Sequence, residues 1–163
     1  MKGFKLLNTQ NHSITRWISI LYRYGQSHIS KQVDQFNIGS GQYVFLLALY
    51  KKDGISQEEI SDHLKIDKAT TAKAIKKLEK EGYVKRNINS EDRRAFKVFL
   101  TQKAFDIKPE IHSILRNWAD VLSGGFSEDE KKLVSELLGR MAKNAFVHFD
   151  KKDIESEDIN RNK

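Results

Sequence analysis

The chain alternates stretches of helical apolar spacing with short polar breaks, and one segment near its middle shows a period of two. From His12 to Phe36, apolar residues recur every three or four positions: Ile14, Trp17, Ile18, Leu21, Tyr24, Ile29, Val33 and Phe36. That spacing predicts a long amphipathic helix, closed by Asn37-Ile38-Gly39. Ser40 is placed to cap a second helix, Gly41 to about Lys51, whose apolar core from Val44 to Leu49 predicts a central, buried element. After the turn Lys52-Asp53-Gly54, Ser56 opens a short helix, and Glu59 completes a capping box. Ile60 and Leu64 form its buried stripe. Lys65-Ile66-Asp67 is a tight turn. Asp67 caps the next helix, Lys68 to Glu81, and Gly82 ends it in the left-handed conformation. Ala72, Ile75 and Leu78 point to one side of that helix; Thr70, Lys73, Lys77 and Lys80 point to the other. Val84, then Phe96, Val98 and Leu100, occupy period-two positions around a polar tip, Asn87 to Arg94, which predicts a hairpin.

The last third returns to helical spacing. Thr101 is placed to cap a long helix bearing Ile107, Ile111, Ile114, Leu115, Trp118, Val121 and Leu122, with a kink expected near Phe105 to Pro109. Gly124-Gly125 breaks the chain. Ser127 and Glu130 form a second capping box, opening a helix with Leu133, Val134, Leu137, Leu138, Met141, Ala145, Phe146 and Phe149. Asp150 to Lys163 is mostly charged, and a frayed, disordered tail is expected there.

Charge changes the picture most. The chain carries net +7 over 163 residues, with a pI near 9.5. Between Lys65 and Lys97, eleven cations face five anions, so a surplus of six lies in a fifth of the chain. Such a concentrated patch is the footprint of a polyanion site. The small polar start of the basic helix suits close approach to major-groove edges, and its lysines suit phosphates. Arg93 and Arg94 at the hairpin tip can enter a narrow minor groove. The absence of cysteine excludes disulfides and thiol chemistry. No apolar run reaches the roughly 18 residues of a membrane span, and MKGFKLLNTQ has too short an apolar run for a signal peptide, so a soluble cytoplasmic protein without membrane partners is expected.

The order helix, turn, basic helix, Gly82-Tyr83-Val84, hairpin with Asp92-Arg93-Arg94, then Leu100-Thr101 opening a helix, resembles the MarR family of transcriptional regulators. The likeness runs from about His12 to Phe149, and Asp92 with Arg94 matches the family's Asp-x-Arg wing hallmark. It implies a mainly α fold with a small β-hairpin wing: a winged helix-turn-helix domain, residues 37–101, plus a helical dimerisation region, residues 1–36 and 102–149, before the tail, 150–163. It implies a homodimer on a pseudo-palindromic double-stranded DNA operator, most simply a repressor released by a small-molecule effector. The alternative is an unregulated nucleic-acid-binding winged-helix module, nucleoid or RNA associated.

The expected DNA-binding residues are Gln57, Lys68, Ala69, Thr70, Thr71, Lys73, Lys77, Arg86, Arg93 and Arg94. Ser56 is read as a cap, whereas Thr70 lies on the exposed face and is read as a contact. Lys76 and Lys80 are read as solvated or phosphate-proximal. Arg86 can meet DNA or pair with Asp92 across the hairpin. Asp92 cannot bind phosphate, so its expected role is to orient an arginine. In the family the first two helices wall a pocket for small aromatic anions. Arg16, Trp17, Tyr24 and Tyr43 are the candidate effector residues here, against the reading that the aromatics are core and Arg16 a surface charge. The five histidines lack metal-site spacing, and the His, Cys and Glu cluster that binds zinc in some relatives is missing. No cofactor, metal or enzymatic activity is expected, since no nucleophile–base pair or phosphate-cradling loop is present.

Overall fold

A computed structural model describes residues 13–88 and 96–161. Helix α1 spans Ile14–Val33 and passes into a 3-10 turn, Asp34–Phe36, closed by Asn37 at φ 57°. Then follow α2 (Tyr43–Lys51), β1 (Ile55–Ser56), α3 (Gln57–Leu64), α4 (Lys68–Lys80), β2 (Val84–Ile88), β3 (Phe96–Leu100), α5 (Gln102–Leu122) and α6 (Glu128–Arg161). The chain divides into two compact units, residues 1–119 and 120–163.

In the first unit, α2 supplies Phe45, Leu46, Ala48 and Leu49 to the centre of the core, as its unbroken apolar run requires. Around it pack Ile60 of α3, Ile75 and Leu78 of α4, Val98 and Leu100 of β3, and Ile111 and Ile114 of α5. Ile29 and Val33 join from α1, so the core reaches beyond residues 37–101 at both ends. The sheet has the order β1-β3-β2, both pairings antiparallel, with Val84 opposite Leu100 and Arg86 opposite Val98. The two-residue strand β1 was not expected; it pairs Ile55 with Val98. Gly54 makes the entry possible. It sits at φ 71°, and an added Cβ would lie 2.6 Å from the Phe99 ring.

Two caps differ from expectation. Ser40 lies in a turn, and α2 starts two residues later than its expected Gly41 start, behind Gln42, whose amide oxygen accepts from the Gly39 N–H at 2.6 Å. The Thr101 hydroxyl does not cap α5. It donates back to the Gly82 carbonyl at 2.7 Å, tying the end of α4 to the start of α5. Both capping boxes form: the Ser56 hydroxyl accepts from Glu59 N–H at 3.1 Å, and that of Ser127 from Glu130 N–H at 3.3 Å. Pro109 sits inside α5, which continues through it as one helix.

In the second unit, Gly125 takes φ 84° before α6 begins. That helix runs to Arg161, so most of the expected frayed tail has helical backbone. Once a helix is nucleated, each further turn adds hydrogen bonds without the nucleation cost, and a charged segment can be carried along. Within this unit Leu133, Val134, Leu137, Leu138, Phe146, Val147 and Phe149 are exposed.

Candidate nucleic-acid interface

Helix α4 is held at both ends. Asp67 Oδ1 accepts from the Thr70 N–H at 2.8 Å. The Thr70 hydroxyl and N–H together hold the Asp67 carboxyl below its ordinary range. At the other end Gly82 adopts φ 78°. The Tyr83 N–H then donates to Leu78 O at 2.9 Å and the Gly82 N–H to Glu79 O at 3.0 Å, a Schellman closure. Tyr83 is buried, with its hydroxyl donating to the Phe36 carbonyl at 2.9 Å. Burial, with the Glu81 charge adding, raises its pKa, so the hydroxyl stays a donor. Lys103 lies over the Tyr83 ring and donates to the Glu81 carbonyl at 2.7 Å.

The two faces of α4 follow from this frame. Thr71, Ala74, Ile75 and Leu78 are its buried residues, spaced i, i+3, i+4, i+7. Ala69, Thr70, Ala72, Lys73, Lys76, Lys77 and Lys80 are exposed. Two expectations are thereby corrected. Thr71 is fully buried and aims its hydroxyl at the Ile66 carbonyl, so it packs into the core and does not lie on the outer face. Ala72, expected in the core, lies about 100° around the helix from Thr71 and faces solvent. It belongs with Ala69 as a small residue allowing close approach. Sequence reading misplaced it because an alanine fits either face.

Around this helix the other expected contacts occupy varied positions. Gln57 is half-buried in the first turn of α3. Lys68 is exposed and ion-paired with Glu58 across the turn. Both partners are solvated, so salt screens the pair and a phosphate can compete for Lys68. Arg86 differs from expectation. Its Nε donates to Glu79 Oε2 at 2.9 Å, and its NH2 bonds the same oxygen. Arg86 holds the Glu79 carboxyl below the ordinary glutamate range. Among the described residues, Glu79 is the one carboxylate lining a shallow groove with Lys73, Lys76, Lys77, Lys80 and Arg86. Asp92, Arg93 and Arg94, and any pairing of Arg86 with Asp92, lie outside the described residues.

The four candidate effector residues lie on α1 and α2. Arg16 and Tyr24 are exposed and Trp17 half-buried along α1. Tyr43 packs against the core, and burial, with Tyr22 adding, raises its pKa. None of the four lines the cavity of about 510 Å³ that opens between α2, α3 and α5. Val44, Leu47, Ala48, Leu64 and Leu115 give it an apolar floor, and Lys51, His63, Lys108 and His112 a basic rim. Tyr50 forms part of its wall, donating to the Ala104 carbonyl at 2.5 Å. Burial, with a smaller effect of Tyr83, pushes its pKa up to about 12, so the wall stays neutral there. Among the described residues no group of three His, Asp or Glu comes together to hold a metal, and no helix is long and apolar enough to cross a membrane.

A capped helix with a basic outer face, set beside a two-stranded wing, defines a DNA-binding winged-helix protein. Residues 38–96 match the MarR family model. The HTH-type transcriptional regulator YybA of Bacillus subtilis (strain 168) is 31% identical, over 82% of this chain and 89% of its own length. A MarR transcriptional regulator from Methanosarcina mazei Go1 superposes with a TM-score of 0.79 at 45% identity, covering 81% of this chain and 95% of that one. A MarR-family regulator from Listeria monocytogenes, solved with a 26mer DNA, gives 0.78 at 28% identity, covering 86% and 96%. The chain belongs to the MarR family and is a DNA-binding transcription regulator. These relatives are transcriptional regulators, not enzymes.

Proposed function

We propose that the protein acts as a homodimeric repressor on a pseudo-palindromic operator. The observation that carries this reading is the exposed row Ala69, Ala72, Lys73, Lys76 and Lys80 on a helix whose opposite face is locked into the core. Small residues at the start of that row allow approach to base edges, which Lys73 reads, and Lys76 and Lys80 meet phosphates. Gln57 and Lys68 flank the entry, and Thr70 and Lys77 border the row. Arg93 and Arg94 on the wing reach the minor groove or its phosphates, with Asp92 orienting Arg94.

Support for the dimer comes from apolar surface that each unit leaves open. Ile14, Ile18, Leu21, Tyr22 and Tyr24 are exposed on α1 in the first unit; the α6 row is exposed in the second. Regulators of this family bind DNA as dimers. A second copy covers such surface and gives the two-fold symmetry that a palindromic site requires. The terminal segments, 1–36 and 102–149, are thus assigned to dimerisation.

Release by an effector fits the cavity between α2, α3 and α5 better than Arg16, Trp17, Tyr24 and Tyr43. An apolar floor under a basic rim suits a small organic anion; α3 packs against α4, and Lys103 of α5 donates to the Glu81 carbonyl at the end of α4. Footprinting on a duplex that the protein recovers from a randomised library tests the reading. Two protected patches related by two-fold symmetry support it. Uniform protection independent of sequence supports the unregulated binding module instead.

A further inference from the structure

We infer that Glu79 and Arg86 form a latch that sets the angle of the wing against the recognition helix, making Arg86 a positioning residue and not a phosphate ligand. On β2, Val84 is buried, and the period of two puts Arg86 on the same face of the strand, toward α4. On α4, Glu79 lies about 80° around from Thr71, at the edge of the buried stripe. Both side chains are about a third exposed, at 34% each. Between them runs the closed turn Glu81-Gly82-Tyr83, fixed by the Tyr83 and Gly82 N–H bonds to α4. The latch therefore closes a short loop already pinned at its apex and leaves the hinge between helix and hairpin little freedom.

The chemistry of the groove supports this role. Glu79 stands among Lys73, Lys76, Lys77 and Lys80 on the face that meets a polyanion. An unpaired carboxylate there would repel phosphate. Paired through two bonds to one oxygen, it is neutralised, and so is Arg86. The pair adds nothing to the electrostatic attraction. What remains is geometry: it joins the last full turn of the major-groove helix to the strand that leads into the wing. Its value is to hold two reading elements at one spacing before DNA arrives, so that neither has to be ordered on binding.

Four full-length chains decide the point: wild type, Glu79→Gln, Arg86→Gln and the swap Glu79→Arg/Arg86→Glu. Each is titrated by fluorescence anisotropy against a duplex recovered by the wild type from a randomised library, and against a scrambled duplex, at several salt concentrations. Urea unfolding of each chain without DNA reports the pair's effect on stability alone. Glu79→Gln is expected to weaken the recovered duplex by about fivefold, the upper size for a pair this exposed, although it removes a negative charge. Arg86→Gln is expected to do the same with an unchanged salt slope, and the swap is expected to restore most of the loss. A merely structural pair would instead lower both duplexes equally, in step with the urea midpoint. Tighter binding by Glu79→Gln overturns the inference, as does a salt slope reduced by about one in Arg86→Gln, the mark of a lost phosphate contact.

Discussion

The direction in which the recognition helix faces can be tested at two hydroxyls that share one acceptor. Ser61 Oγ donates to the Ile66 carbonyl at 2.5 Å, while Thr71 Oγ1 lies 3.5 Å from the same oxygen. Both residues are buried, at 5% and 0% exposure. The first distance is that of a strong bond and the second is at the limit of one. Ser61→Ala therefore leaves the turn's carbonyl without its principal donor and should cost about 1–2 kcal/mol. Thr71→Val keeps the shape and loses only the weak contact, so its cost should stay within about 0.5 kcal/mol. Urea unfolding monitored by circular dichroism measures both. Duplex titration well below the unfolding transition then isolates recognition: Thr71→Val should bind as the wild type does. A Thr71→Val chain of unchanged stability that loses affinity would mean that Thr71 touches DNA. The helix would then be rotated from the arrangement described.

Further outcomes follow from other parts of the interface. Gly54→Ala combines a left-handed φ with a 2.6 Å approach to Phe99; it should destabilise by about 2–5 kcal/mol, the sum of the conformational and overpacking costs, measured by the same urea unfolding. Lys73→Ala should cost about 1–3 kcal/mol on the recovered duplex and relax base preference at one position per half-site, seen by selection with the variant. Lys80→Ala should instead weaken all sequences alike and reduce the salt slope by about 0.9 in anisotropy titrations. Because Arg86 holds Glu79 below the ordinary glutamate value of 4.5, the pair's stabilisation is full above that pH and fades as the pH falls below it. Glu79→Gln should flatten the acid limb of the urea midpoint against pH, and an unaltered limb would mean the pair contributes nothing.

Local signals in the sequence carried far. The capping boxes at Ser56 and Ser127, the Asp67 cap and the left-handed Gly82 all depend on residues within a few positions of each other, so spacing reveals them. The buried α2 was equally legible, because an all-round apolar run has no solvent face to offer. What depended on distant partners was not. Strand β1 is two residues long and exists only because β3 passes beside it. Ser40 and Thr101 have the right residue type for caps, but Gln42 and the Gly82 carbonyl offered better partners. Thr71 and Ala72 exchanged faces because each is small enough for either, and only the packing of Ile75 and Leu78 fixes the rotation. Pairing of Arg86 with Glu79 needs β2 to return along α4, which no spacing rule encodes. The cavity draws on three helices, so its lining could not be assembled from α1 and α2 alone.

The central claim is that the outer face of α4 enters the major groove of two half-sites related by the protein's own two-fold symmetry. Hydroxyl-radical footprinting of the wild type on a duplex it selects tests this most directly. The account predicts two protected tracts about one helical turn, or 10–10.5 base pairs, apart, centre to centre, on a pseudo-palindromic sequence. A single tract without symmetry, or protection spread evenly along both selected and scrambled duplexes, would contradict it.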